Sequence, residues 1–413
     1  MNNFINILKK EIKMSLVQSR FIIILIFVSV VIATGFFSMY RDYIKRMENY
    51  EILTPGKEDA IALIKPASSS ILVKGVDESI CRPFSITFLG IDAGSGQQSI
   101  NWLFSLFQTP DLLFIISTVL SLCALFFSYD LVSREREEGT FKYIMANSVS
   151  RTTVITAKLL GAFICFIVPV VITMAIGIAI IAQMPQVLFT ETDYWGIFLL
   201  FSSTIIYLFI FFSIGLLMSV LMKRSVSSLI LSLFIWTVLV FVIPQLTQSI
   251  SKNLAGAPSV AQSELKQNLS WASIVFERIN GINGSQRDIQ DEWEQLSMEF
   301  TRGQEERCSR LSKSMFASPT GIFTLLAPNL MRVGLSQEKS AKNAVWQYYK
   351  SVKSAPTNSD GMLVGNLPRF SFDRNQQVTI DSQSASMALI GLLLYLIVPL
   401  TLSFYFFSKY DFR

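Results

Sequence analysis

Apolar residues gather into six runs, at 21–40, 111–132, 159–182, 194–222, 226–243 and 387–407, with polar or charged sequence between most of them. About 20 apolar residues in a helix cross a hydrocarbon core of ~30 Å. The pattern therefore predicts six transmembrane helices. Pro169, inside the third run, predicts a kink, and Pro244 stops the fifth.

Ahead of the first run, residues 1–20 place Phe4, Ile5, Leu8, Ile12, Leu16 and Val17 on one helical face, with Lys9, Lys10, Lys13 and Arg20 mostly elsewhere. That spacing predicts an amphipathic elbow helix lying on a membrane surface. The run that follows is longer than the apolar core of about 7–15 residues in a signal peptide, so it reads as a retained helix.

Two long polar segments interrupt the runs, 41–110 and 247–385. Residues 70–73, 84–89 and 370–381 have strand-like composition or alternation. Ile289, Trp293, Leu296, Phe300, Leu311 and Met315 keep helical spacing, which Ser318-Pro319 ends. A semi-apolar patch at 322–330 either touches the membrane surface or packs inside a domain. The fold expected is an all-α polytopic membrane protein whose two insertions build a mixed α/β extracytoplasmic domain.

Composition agrees with a membrane protein: 51% of residues are hydrophobic, 16% are charged, and Phe alone counts 33. Basic residues set the orientation, because Lys and Arg collect in short cytoplasmic loops. Lys9, Lys10, Lys13 and Arg20, then Arg134, Arg136, Lys142, Arg151 and Lys158, then Lys223-Arg224 and the tail lie on one side, and the turn 183–193 has neither Lys nor Arg. Both termini are thus expected in the cytoplasm of a plasma (inner) membrane protein, with 41–110 and 247–385 outside. The net charge of +5 follows from this bias and requires no nucleic-acid partner.

The chemistry available is narrow. With no His, the commonest general base and metal ligand is missing. No phosphate loop, GxSxG or HExxH occurs, so neither a catalytic nor a metal site is expected in this chain. No run carries a charge near its middle, which argues against ion-driven transport. Cys123 and Cys165 fall in apolar runs as packing residues, whereas Cys81 and Cys308 fall in the outer segments and form a candidate disulfide pair.

The most charged short stretch between two runs is 133–158. Arg134, Glu135, Arg136, Glu137 and Glu138 alternate in sign with i,i+3 and i,i+4 spacing, predicting a short helix that pairs its own charges. Gly139-Thr140 breaks it, and Ser150 is placed to cap the next helix. Helix, break, short helix and re-entry expose charge beside apolar side chains, as a docking surface does.

This stretch, SYDLVSREREEGTFKYIMANSVSRTTVITAKLLG, resembles the region between the second and third helices of permease subunits of type-2 ABC exporters. In that family an E-R-E-x-G-T block, here Glu135, Arg136, Glu137, Gly139 and Thr140, precedes a polar Ser-Arg turn, here Ser150-Arg151, and a K-x-x-G helix start, here Lys158 and Gly161. The elbow and the count of six spans are similar as well. More loosely, KPASSSILVKGVD and SPTGIFTLLAPNL resemble stretches of members with large outer insertions.

The resemblance implies a coupling helix within 133–151, with Glu135, Arg136, Glu137, Glu138, Gly139, Thr140 and Arg151 docking the ATPase. It implies that two permease subunits, identical or paralogous, pair and bind an ATPase dimer, with the second and fifth spans facing the partner or the pathway. ATP and magnesium would bind that ATPase, not this chain. The size of the outer segments keeps an alternative open: a non-transporting scaffold or mechanotransmitter acting on an extracytoplasmic partner.

Overall fold

A computed structural model describes residues 2–53, 61–81, 83–87, 90–93, 111–140, 150–254, 309–353, 370–374 and 382–409. Among the described residues, six helices are long and apolar enough to cross a membrane: Phe21–Leu53, Leu112–Glu137, Arg151–Ala182, Glu191–Leu221, Ser225–Thr247 and Ser382–Lys409. One compact unit comprises residues 1–240 and 319–413, and another comprises 241–318.

Helix α1, Asn2–Val17, is followed after Gln18 by α2, Ser19–Leu53. The latter continues past Tyr40 because residues 41–53 hold neither Pro nor Gly and offer an Asp42–Arg46 pair one turn apart, with Arg46 Nε 3.2 Å from Asp42 Oδ2. On α1 the polar Glu11 and Ser15 are buried, whereas Ile5, Met14, Leu16 and Val17 are exposed with Lys9, Lys10 and Lys13.

The second span opens with Asp111 accepting a capping hydrogen bond from the Phe114 amide, then winds as a π-helix over Ile115–Leu120 before α5, Ser121–Ser128. (The short helices Asp77–Ile80 and Leu112–Phe114 are α3 and α4.) A turn leads to α6, Ser133–Glu137. The third and fourth spans are α7, Arg151–Ala182, and α8, Glu191–Leu221. Pro169 lies within α7, and its carbonyl accepts from Thr173 Oγ1 at 2.8 Å. Ser150 caps α7 as its position predicts, accepting from the Thr153 amide, and a Thr190–Asp193 capping box starts α8.

In the fifth span Pro244 does not stop the helix: α9, Ser225–Thr237, passes into a π-turn at Val238–Val242 and then α10, Ile243–Leu254. Proline removes an N–H and crowds the carbonyl four residues back; the wider π winding just before Pro244 gives that ring room.

Two further expectations change in the polar segments. Residues 70–73 are not a strand, since Ser68–Ile71 is a 3-10 turn whose Ile71, with Leu72 and Val73 after it, is fully buried. Helix α11, Pro319–Leu330, contains the semi-apolar patch and packs against α8 and against α13, the sixth span, Ser382–Lys409. Phe323 stacks on Tyr207 with centroids 4.5 Å apart. The Tyr207 hydroxyl donates to the Ser117 carbonyl at 2.8 Å and is paired with Thr320 Oγ1 at 3.0 Å. Tyr207 lies about 24 Å along α8 from Glu191 at about 1.5 Å per residue, so α11 reaches deep into the bundle.

Strands β1, Ile61–Ala62, β2, Phe84–Thr87, and β3, Gly90–Ala93, form an antiparallel sheet in that order, with Ala62 opposite Phe84 and Ser85 opposite Asp92. A second small core joins this region to α12, Leu335–Lys353, through Ile64, Ile80, Val345 and Tyr349. Phe370–Arg374 form no strand; 375–381 and the helical spacing proposed between Ile289 and Phe300 lie outside the described residues.

Candidate functional site

The charged segment is held by the ends of its neighbours. Alternating charge predicts that α6 pairs its own side chains, but only Arg134 and Glu138 do so among the described residues, at 2.9 Å on the exposed face. The other three charges reach away. The reason is the length of α6, Ser133–Glu137: five residues cannot supply partners on every side.

Glu135 turns inward. Its Oε1 lies 2.5 Å from Lys158 Nζ, and Lys158 also donates to Glu11 Oε1 at 2.9 Å. Lys158 is 2% exposed and Glu11 4%, so an ammonium stands between two carboxylates with almost no water. This cluster joins α1, α6 and α7. Gly161, one turn beyond Lys158, makes it possible: a Cβ there would stand 3.0 Å from Glu11 Cβ and 3.5 Å from the Leu8 carbonyl. A side chain there would require α1 to give by a few tenths of an ångström at Glu11, the residue that meets the ammonium. The spacing K-x-x-G thus has a mechanical meaning in this chain.

Arg136 serves a different element. Its Nη1 donates to the carbonyls of Val220 and Met222 at 3.1 and 3.2 Å, satisfying the carbonyl end of α8 with a cation. Glu137 Oε2 accepts from Ser225 Oγ at 2.5 Å, at the start of α9. Ser219 Oγ accepts from the amides of Val132 and Ser133, and Ser228 Oγ donates to the Tyr129 carbonyl at 2.6 Å. Arg151 Nη1 donates to the Ser408 carbonyl at 2.7 Å and so caps α13.

Gly139, with φ of +69°, ends α6, and Thr140 Oγ1 donates back to the Glu135 carbonyl at 3.3 Å. Arg134, Glu137, Glu138, Gly139 and Thr140 are exposed, and Glu135 and Arg136 are half-buried. Residues 141–149 lie outside the described residues.

The sequence reading did not single out Glu11. Its signal was a lone acid on the inner face of an otherwise basic helix. Lys158 appeared only as an orientation-setting base and as part of a motif; the signal for its pairing was a second cation two turns inside a helix that is apolar from there on.

Cys81 carries a free thiol; Cys308 lies outside the described residues. Burial, and next the nearby Asp77 carboxylate, push the Cys81 thiol up, which keeps it protonated and poorly nucleophilic.

The family model described as ABC-2 family transporter protein matches residues 5–412. No curated protein matches the chain.

Proposed function

The chain belongs to the ABC-2 transporter family, a membrane-embedded permease component, and from that premise we propose that the exposed face of residues 134–140 receives a separate ATPase. The observation carrying this reading is the division of one short helix into two faces. Arg134, Glu137, Glu138, Gly139 and Thr140 are exposed, while Glu135 is bonded to Lys158 of α7, which also holds Glu11 of α1, and Arg136 to the end of α8. A push on the exposed face passes into those helices as displacement, because the inward contacts are charged and directional. ATP and magnesium stay on the ATPase, and the chemistry is its own.

On this reading both termini lie in the cytoplasm, and α1, with Ile5, Met14, Leu16 and Val17 exposed beside its lysines, is the elbow resting on the leaflet. The sheet β1–β3 and α12 belong to an extracytoplasmic domain built from both insertions, and a second permease subunit completes the pathway.

The test is charge reversal on the exposed side. Glu138→Lys removes only a surface pair worth about 0–1 kcal/mol, so the spans stay folded, and ATP hydrolysis by the co-purified ATPase is expected to lose its stimulation by the permease. Unchanged stimulation sinks the docking role. The separate core made by the two insertions supports a second reading, in which the chain works on an extracytoplasmic partner rather than moving a solute. Deletion of α12, Leu335–Lys353, which leaves α11 in the bundle, favours it if function is abolished while core transport stays intact.

A further inference from the structure

The end of the bundle opposite the charged segment holds a second buried ionic cluster. Asp77 is fully buried. Its Oδ2 accepts from Arg46 Nη1 at 2.6 Å and its Oδ1 from Arg374 Nη1 at 2.8 Å, and the Ala67 amide donates to both oxygens at 3.4 and 3.3 Å. Arg46 also donates to Ser70 Oγ at 3.1 Å, and Arg374 Nη2 donates to the Lys65 carbonyl at 2.8 Å. Three segments distant in sequence meet here: the far end of α2, residues 65–77, and residues 370–374. Val76 adds a backbone bond from its amide to the Val333 carbonyl at 2.8 Å, which ties in the residues after α11.

Both ionic clusters act on the same run of chain. Glu11 on α1 belongs to the Lys158 cluster, Gln18 alone separates α1 from α2, and Arg46 on α2 belongs to the Asp77 cluster. About 40 Å of helix separates Ser19 from Arg46 at about 1.5 Å per residue. Apolar surfaces can slide past each other at little cost. A buried carboxylate between two guanidinium groups cannot, since a shift of even a few ångströms leaves an uncompensated charge. Ionic contacts fix α1 at one end and α2 at the other, and the chain between them is helical apart from Gln18, as a push rod with a single joint needs.

We infer that α2 is that rod: it carries displacement of the 134–140 segment to the sheet and α12 at the opposite end, and Arg46–Asp77 is the joint through which it acts. The inference rests on the coupling role proposed above. It adds a route that bypasses the pathway, so the segments at the far end respond to the ATPase through the first span.

Spin labels at Leu188→Cys and Gln347→Cys, both exposed, in a chain whose four native cysteines are alanine, report the far-end distance in the complete permease–ATPase complex in nanodiscs. Adding ATP with vanadate is expected to shift that distance. Arg46→Gln abolishes the shift while ATPase stimulation stays at the parent level, and Arg46→Lys, which keeps the charge, restores it. A shift that persists in Arg46→Gln overturns the rod. So does a parent complex with stimulated ATPase and no shift, or an Arg46→Gln complex that loses stimulation together with the shift. If the parent shows no ATPase stimulation, the coupling role itself fails and takes this inference with it.

Discussion

At the scale of single residues, Lys158 decides how the charged end holds together. Its ammonium lies between Glu11 and Glu135 at 2.9 and 2.5 Å. Lys158→Met leaves the buried Glu11 and the half-buried Glu135 carboxylates without their shared cation, and a loss of about 3–5 kcal/mol is expected from breaking such a cluster on one side. Melting in detergent micelles measures it. Adding Glu11→Gln and Glu135→Gln to Lys158→Met removes the stranded charges, so most of the loss should return; a triple variant as unstable as the single one contradicts the account. Of the seven residues the family likeness marks here, three act locally in ways that likeness alone does not tell. Arg136 and Arg151 close the carbonyl ends of α8 and α13, and Glu135 holds an ammonium. Charge alternation made Glu135 and Arg136 look like partners of their own helix because it carries no information about the third dimension.

Among the elements, α11 shows where pattern runs out. Pro319–Leu330 is too short to span a membrane and too apolar for an exposed loop, and its periodicity fits a surface helix and a buried one alike. The structure buries it against Tyr207 and α13, with Thr320 supplying the polar contact at its inner end. Phe323→Ala is expected to cost about 3–5 kcal/mol and to speed amide hydrogen exchange over 319–330 selectively. Exchange unchanged there would mean that the stacking on Tyr207 does not hold the helix. Pro244 teaches the complementary lesson. A proline in an apolar run reads as a stop, yet a π-turn immediately before it lets the helical winding continue, and nothing in the composition of 238–242 announces that turn.

For the whole molecule, six spans were legible because each is a long apolar run, and water and hydrocarbon separate such runs from polar sequence by many kcal/mol whatever their neighbours. Orientation rests on the basic residues alone and is open to direct measurement. A membrane-impermeant maleimide should label Leu188→Cys in intact cells and Lys9→Cys only after permeabilisation; the reverse pattern inverts the topology. The charged segment could be located from sequence for the same reason as the spans, since charge between two apolar runs must sit at a membrane face.

The amino-acid sequence by itself determined the six spans, the position of the charged segment and the family motifs within it, because these depend on local composition and on solvent. Only the tertiary structure decided that Glu11, Glu135 and Lys158 form one cluster, that Asp77 gathers Arg46 and Arg374, and that α11 enters the bundle. Those contacts join residues up to 297 positions apart. Pairing at such separations is selected by packing and by the cost of burying an uncompensated charge, neither of which is written in the periodicity of any one segment.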